Sequence, residues 1–136
     1  MELHQASFWE FLVDGKVRCN LCRFHCVVAV GQRGRCGVRE NRDGVLYSLV
    51  YGLSIAEHVD PIEKKPLYHV LPGSRSLSVA TVGCNFHCLH CQNADISQWP
   101  REHRQISGRP ATPETLVAQA LENRCSSISY TYTEPT

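Results

Sequence analysis

The eight cysteines of this 136-residue chain constrain its fold more than any other feature, because they fall into groups. Cysteines of a reducing compartment more often bind metals or react as thiols than form disulfides. Their division into groups of four, three and one therefore predicts two metal sites and one thiol without a chemical role. The first group is Cys19, Cys22, Cys26 and Cys36, the second is Cys84, Cys88 and Cys91, and the single cysteine is Cys125.

The composition is that of a soluble globular chain with the length of one ordinary domain. Hydrophobic residues make up 43% and charged residues 20%, and the formal net charge of +1 gives no overall attraction to nucleic acid or membranes. The apolar runs are too short to span a bilayer. The N-terminus carries Glu2 and Glu10 and lacks the basic start and cleavage site of a signal peptide. We therefore predict a cytoplasmic protein with no membrane partner.

The local patterns divide the chain into three regions. Residues 1–59 hold the first cysteine group, residues 60–75 form a connector that contains prolines, and residues 76–136 form the last region. Trp9, Leu12 and Val13 share one helical face, which predicts a short helix over residues 4–13. The stretch GVRENRDGVLYSLVYG predicts a hairpin that turns at residues 41–44.

The last region predicts one βαβ unit. Residues 76–82 read as a buried strand, residues 127–132 read as a second strand, and a helix begins between them at Thr112-Pro113-Glu114. In such units the chemistry lies beyond the carboxyl ends of the strands. The three-cysteine loop follows the first strand directly, so we expect it at the functional edge.

Three cysteines in one loop leave a four-ligand site incomplete. A zinc site closes with four ligands, which His87 or His90 would complete, since sites of three cysteines and one histidine are common. A bacterial ferredoxin run is disfavoured, because it ends in a fourth cysteine and a proline, whereas Cys91 is followed by Gln92-Asn93. A cubane iron–sulfur cluster with one open iron is the third reading.

The first cysteine group, CNLCRFHCVVAVGQRGRC, has enough thiols for a closed tetrahedral site. Ligation by sulfur alone suits zinc or an iron–sulfur cluster, and the spacing does not choose between them. We expect a structural site, with His25 packing beside it rather than ligating. Cys125 is expected to pack as a small hydrophobic side chain.

Several segments resemble one branch of the radical S-adenosylmethionine (radical SAM) enzymes. They are the N-terminal cysteine block, VRENRDGVLYSLVYG, DPIEKKPLYHVLPGS and GCNFHCLHCQN, and the C-x3-C-x2-C spacing matches the signature of that superfamily. The branch is the radical SAM enzyme of the AmmeMemoRadiSam system, related to the pyruvate formate-lyase activating enzymes. The resemblance runs from about residue 15 to the end of the chain. It implies an α/β fold: the N-terminal part of a partial (β/α)6 radical SAM barrel, incomplete in this chain, preceded by a small cysteine-rich metal-binding region with a β-hairpin.

The same resemblance implies an activity. Cys84, Cys88 and Cys91 would hold a four-iron–four-sulfur (4Fe-4S) cluster, and S-adenosylmethionine would chelate its open iron. Reductive cleavage would then give a 5′-deoxyadenosyl radical that abstracts hydrogen from an unidentified substrate, an oxidoreductase reaction like that of the activating enzymes. The alternative of a different class is a zinc-stabilised, cysteine-rich binding module without catalysis.

Two further residues match cofactor-binding positions of the resembled family, and no catalytic residue is assigned. His90 stands where that family has an aromatic residue against the adenine. Glu134 corresponds to the glutamate of a Gly-Gly-Glu segment that contacts the amino group of S-adenosylmethionine, but Tyr132 and Thr133 replace the glycines. The implied partners are an electron donor such as flavodoxin or ferredoxin, together with Memo-like and AMMECR-like proteins.

The sequence also predicts an incomplete barrel. It supplies one βα unit and a second strand, and parallel sheets rarely stand as two strands alone. We expect a fragment of a longer protein, inactive by itself, whose second strand is an exposed edge. Lys64 and Lys65 of the DPIEKKPL segment are expected in a solvated loop, with the positioning of an anionic group as the alternative.

Overall fold

The computed structural model describes residues 3–136 as short strands joined by turns, with few helical residues. Met1 and Glu2 lie outside the described residues, and with them part of the N-terminal segment on which the absence of a signal peptide was argued. None of the helices within the described range has the length and apolar character needed to cross a membrane.

The cysteine-rich region is built from two three-stranded antiparallel sheets. The first has the order β1-β6-β5 and the second has the order β2-β3-β4. Side chains from both sheets form one apolar cluster that includes Val17, Cys19 and Leu46. The strands are β1 (His4–Gln5), β2 (Trp9–Phe11), β3 (Val17–Cys19), β4 (Val27–Val28), β5 (Arg39–Arg42) and β6 (Val45–Ser48).

The helix predicted over residues 4–13 is wrong. This segment forms β1 and β2, followed by a 3-10 turn at Val13–Gly15. The turn reverses the chain with positive φ at Asp14 and Gly15, so that Trp9 pairs with Cys19 and Phe11 with Val17. An isolated helix of this length is marginal in water. Pairing with β3 therefore outweighs the helical periodicity.

The hairpin predicted between residues 37 and 52 is confirmed. Strands β5 and β6 pair from Arg39↔Ser48 to Arg42↔Val45, which leaves Asp43 and Gly44 as a two-residue turn. Both turn residues have positive φ, as the type I′ turn requires. The Asn41 side chain accepts a hydrogen bond from the Gly44 amide at 2.9 Å and fixes the turn.

The βαβ unit is also confirmed. Strand β9 (Arg75–Ala80) pairs in parallel with β11 (Ser127–Tyr130), and helix α3 (Pro113–Glu122) connects them. Thr112 caps the helix by accepting a hydrogen bond from the Thr115 amide at 3.3 Å. Between β9 and α3 lie two short helices and a two-residue strand. They are α1 (Ala94–Ser97), α2 (Trp99–His103) and β10 (Arg109–Pro110), and β10 pairs with β7 (Leu53–Ser54).

Strand β8 (Ala56–Pro61) completes the sheet on the other edge of β9. The predicted boundary between residues 59 and 60 lies inside this strand, because antiparallel pairing continues through Asp60↔Ser76 to Pro61↔Arg75. The proline-containing connector therefore starts within the sheet and continues as a 3-10 turn at Ile62–Lys64.

The two faces of the β9 sheet differ in chemistry. Leu77 and Val79 point towards α3 and pack against Ala120. The alternate residues, Ser76 and Ser78, are fully buried on the opposite face and use their hydroxyl groups in side-chain hydrogen bonds. Cys125 packs in the apolar cluster under α3, as expected from its type. Within residues 3–136 the sheet does not close into a barrel, so the (β/α)6 architecture stays a prediction.

The three-cysteine loop joins the cysteine-rich region at Gly83. A Cβ atom on Gly83 would lie 2.4 Å from the Cγ1 atom of Val38 and 3.0 Å from the carbonyl oxygen of Cys36. The φ of Gly83 is +94°, a backbone conformation that side chains disfavour. Close backbone approach therefore requires glycine at this position.

We predict that Gly83→Ala lowers the free energy of unfolding by more than Gly52→Ala does. The expected difference is about 1–3 kcal/mol, the usual cost of overpacking. Gly52 is the matched control, because its φ is also positive (+69°) but a Cβ there would meet no atom within 4 Å. Urea unfolding of both variants measures the difference. Equal losses of stability would show that the contact between Gly83 and Val38 carries no energetic weight.

Candidate functional site

The three-cysteine loop folds back over α1 immediately beyond strand β9. Cys84 is buried, Cys91 is half-buried and Cys88 is exposed at the outside of the loop. The Gly83 amide donates a hydrogen bond to the carbonyl oxygen of Ile96 at 2.9 Å, and the Cys91 amide donates to the carbonyl oxygen of Cys88 at 3.3 Å. The loop is thus held at its start and turned tightly at its end.

Helix α2 fixes the middle of this loop through one arginine. The Arg101 guanidinium donates to the carbonyl oxygen of Cys84 at 3.1 Å and to the side-chain oxygen of Gln98 at 2.8 Å, and it contacts Nδ1 of His87. Gln98 donates in turn to the carbonyl oxygen of Phe86 at 3.3 Å. Since these bonds engage the backbone of the loop, its cysteine side chains remain free for ligation.

Two of the three thiols of this loop also have polar neighbours. The Glu134 amide donates to Sγ of Cys84 at 3.4 Å, and the Ser97 hydroxyl lies 3.4 Å from Sγ of Cys91. Among residues 3–136, no three side chains of His, Cys, Asp or Glu are placed together as a metal site. Metal ligands commonly take their final positions only with the metal.

The two predicted cofactor-binding residues lie near this loop but differ in position. His90 is exposed between Cys88 and Cys91. Glu134 follows strand β11, and its backbone amide reaches Cys84 while its side chain is exposed. The parallel pairing of β9 and β11 places both strand ends at one edge, so the backbone of Glu134 and the cysteine loop meet there.

All four cysteines of the first group line one small cavity. Cys19 and Cys36 are buried, and Cys22 and Cys26 are half-buried. The amide of Cys19 donates to the carbonyl oxygen of Cys26 at 2.9 Å, which draws the two segments together. Burial raises the pKa of the Cys36 thiol. Independently of that pKa, four thiols around one cavity are a donor set that fits a metal bound by sulfur alone.

A buried arginine lies against this cysteine group and needs a negative charge near it. Arg39 is 4% exposed and donates to Sγ of Cys19 at 3.1 Å and to the carbonyl oxygen of Ser7. None of the ion pairs found in the described part of the chain includes Arg39. A buried cation without a counter-ion is costly. A metal-bound thiolate at Cys19 would supply the missing negative charge.

The two cysteine groups are in contact with each other through Arg35. The Arg35 amide donates to Sγ of Cys26 at 3.5 Å, and the Arg35 side chain donates to the carbonyl oxygen of Asn85 at 3.3 Å. Arg101 donates back to the carbonyl oxygen of Arg35 at 2.8 Å. The cavity of the first group is accordingly lined by Asn85 as well. If one cysteine group loses its ordered structure, we therefore expect the other group to be destabilised as well.

A carboxylate cluster on the polar face of the β9 sheet was missed by sequence reasoning. The Asp60 carboxylate, 5% exposed, accepts hydrogen bonds from Lys64 and Lys65, both at 2.8 Å. It also accepts from the Ser78 hydroxyl at 2.7 Å and the Tyr132 hydroxyl at 3.0 Å. The sequence signal for this cluster was an acidic residue at the end of a strand, followed by lysines four and five residues later.

The expectation of a solvated loop fits Lys64 and is wrong for Lys65. The side chain of Lys64 is 61% exposed, whereas that of Lys65 is 12% exposed. Lys65 is held between Asp60 and the ring of Tyr132, whose centroid lies 5.2 Å from its ammonium nitrogen. The strand that carries Asp60 brings Lys65 into the fold, where its ammonium nitrogen lies 2.8 Å from the Asp60 carboxylate.

Hydrogen bonds determine the ionisation of this cluster. Burial alone would raise the pKa of Asp60, but the donors from Lys64, Lys65, Ser78 and Tyr132 together outweigh burial and hold that pKa well below its usual range. Burial and the neighbouring carboxylate raise the pKa of Tyr132, so its hydroxyl stays protonated as a donor. Asp60 is therefore ionised at neutral pH, and Tyr132 is neutral and donates to it.

We predict that Asp60 makes stability depend on pH in the acid range. Its folded pKa lies below the ordinary value of 3.8, so its stabilisation is complete above that pH and is lost as pH falls further. Asp60→Asn should lower the free energy of unfolding by about 1–3 kcal/mol at pH 7, the cost of leaving buried donors unsatisfied. Urea unfolding at neutral and acid pH should show this difference shrinking below about pH 4. A difference that is constant with pH would contradict the assignment.

Comparison with known proteins gives one similarity in sequence. The chain is 51% identical over 134 residues to the uncharacterized protein MJ0808 of Methanocaldococcus jannaschii, an alignment that covers 98% of this chain and 40% of that protein. The chain thus spans about 40% of the length of the relative it matches. No family model matches the chain, and no solved structure matches it.

Proposed function

We propose that this chain belongs to a radical SAM enzyme in which Cys84, Cys88 and Cys91 hold a 4Fe-4S cluster. The observation that carries the proposal is the position of the C-x3-C-x2-C loop. It follows the carboxyl end of a parallel strand in a βαβ unit, with the end of the second strand against it. Three thiols without a fourth cysteine nearby suit a cluster that leaves one iron to a small ligand.

When bound, such a cluster supplies the electron that splits S-adenosylmethionine into methionine and a 5′-deoxyadenosyl radical. The residues of the chain orient and shield this chemistry. Arg101 and Gln98 fix the backbone of the cysteine loop, and buried Cys84 anchors it to the sheet. Exposed Cys88 marks the side that an electron donor such as flavodoxin or ferredoxin would approach.

The positions of Glu134 and His90 support roles in binding S-adenosylmethionine. The amide of Glu134 lies against Cys84, so Glu134 would be close to a cluster held by that cysteine. His90 stands exposed in the loop, free to lie against an adenine ring. The reaction is a hydrogen abstraction like that of the activating enzymes. Memo-like and AMMECR-like proteins are proposed partners on the resemblance of the sequence alone.

The first cysteine group is proposed as a structural metal site, with zinc or an iron–sulfur cluster as the metal. The convergence of Cys19, Cys22, Cys26 and Cys36 on one cavity supports this proposal, as does the unneutralised charge of Arg39. Because this group borders the cysteine loop through Arg35, its metal would stabilise the wall of the proposed active site.

The proposed cluster predicts the effect of removing its ligands. In the protein to which this chain belongs, changing Cys84, Cys88 or Cys91 to alanine should abolish 5′-deoxyadenosine formation and the electron paramagnetic resonance signal of the reduced cluster. Adding S-adenosylmethionine should perturb that signal in the unchanged protein. The measurements are made after anaerobic reconstitution with iron and sulfide.

The matched control is Cys125→Ala, because Cys125 packs under α3 away from both cysteine groups. This variant should keep both the signal and the reaction. Reconstitution that yields a folded protein containing zinc and no iron would overturn the proposal and favour a zinc-stabilised binding module.

The structural metal predicts a separate phenotype. Cys22→Ala should lose the metal of the first group and unfold the cysteine-rich region, because binding a structural metal contributes directly to the free energy of folding. Metal analysis and thermal unfolding of Cys22→Ala and Cys125→Ala distinguish the ligand from the control. A Cys22→Ala protein that keeps its full metal content and stability would show that these cysteines do not form a metal site.

A further inference from the structure

A cavity of about 460 Å³ lies beside the three-cysteine loop. Three segments converge on it: the connector after β8, the end of the cysteine loop and the residues after β11. They contribute Lys64 and Lys65, then Gln92 and Asn93, and finally Tyr132. Gln92 follows Cys91 directly, so a molecule in the cavity would lie next to the proposed cluster loop.

The lining of this cavity carries excess positive charge. Two lysines face it, and none of the lining residues is acidic. The neighbouring Asp60 supplies one negative charge for the two ammonium groups. Each ammonium has three N–H donors and gives one of them to Asp60, so donors remain for a further acceptor.

The geometry shows a site that is ordered before a ligand binds. Lys65 is 12% exposed and is fixed between the Asp60 carboxylate and the face of Tyr132. Tyr132 is fixed in turn, because its hydroxyl donates to Asp60 and its carbonyl oxygen accepts from the Asn93 side chain at 3.0 Å. A cation held in this way loses little conformational freedom when it binds an anion.

If the two lysines served only to neutralise Asp60, one of their two positive charges would have no function. A single lysine neutralises Asp60, and Ser78 and Tyr132 supply further donors to the same carboxylate. Lys64 is 61% exposed at the mouth of the cavity, where its attraction to Asp60 is weakened by solvent. The second ammonium is therefore available to a ligand at little energetic cost to the fold.

We infer that this cavity binds an oxyanion group, a carboxylate or a phosphate, of the molecule on which the site acts. This inference rests on the proposed function, because that function identifies the reaction for which the cavity would hold a substrate. The negative charge of the substrate is inferred from the two lysines. The buried lysine makes the fixed contact and the exposed lysine closes over the bound group. The substrate class is thus an anionic molecule whose charged end is held beside Cys91.

The lysines themselves give a direct test, because Lys16 is the remaining lysine of the sequence and lies in the turn before β3. Protein labelled with carbon-13 at lysine Cε is titrated with inorganic phosphate and, separately, with malonate at constant ionic strength. The signals of Lys64 and Lys65 should shift and saturate, while that of Lys16 stays unchanged. The anion that saturates at lower concentration distinguishes phosphate from carboxylate recognition.

Variants extend the test to the buried lysine. Lys65→Met should weaken anion binding at Lys64 about tenfold or more, the loss expected for one charge-assisted hydrogen bond. Lys65→Arg should restore most of the binding, and Lys16→Met should leave it unchanged. Circular dichroism of each variant verifies that it is folded.

Equal, unsaturated shifts at all three lysines would overturn the inference, as would unchanged binding in Lys65→Met. The titration requires neither iron nor S-adenosylmethionine, so it is independent of the proposed reaction. A protein that cleaves S-adenosylmethionine but shows no saturable anion site refutes the lysine site alone. A protein that binds the anion but holds zinc and no iron after reconstitution refutes the proposed function alone.

Discussion

The parallel pairing of β9 with β11 is the constraint on which the rest of this structure depends. It fixes Leu77 opposite Ile128, and with them the apolar face that α3 covers. It also brings the carboxyl ends of both strands to one edge, where the cysteine loop and the backbone of Glu134 meet. Because β8 pairs with the same central strand, Asp60 reaches Ser78 and Tyr132 across the polar face. One strand thus positions both the thiols and the charged cluster.

The second organising feature is the contact between the two cysteine groups. Gly83 permits the cysteine loop to pack directly against Val38, and Arg35 bonds to Cys26 on one side and to the backbone of Asn85 on the other. In this arrangement a structural metal in the first group and a reactive centre in the second would be mechanically linked. The buried Arg39 donates to Sγ of Cys19, so a negatively charged metal site there would neutralise its charge.

Sequence reasoning succeeded where the determining interactions are local. The turn at Asp43-Gly44 and the cap at Thr112 each depend on a few consecutive residues, and both elements are confirmed. It failed at residues 4–13, where apolar spacing suited a helix but the partner strand β3 decided the outcome. It also misjudged Lys65, because the charge pattern of a proline-containing segment does not reveal that an aspartate will be buried beside it.

The sequence by itself determined the grouping of the thiols, the hairpin and the βαβ order, since spacing and local pattern encode these directly. Only the tertiary structure decided that four cysteines line one cavity, that Arg39 lies against Cys19 and that two lysines share Asp60 beside the cysteine loop. Those arrangements join residues far apart in the chain. Their positions follow from strand pairing and from the need to neutralise buried charge, and neither is visible in a local pattern.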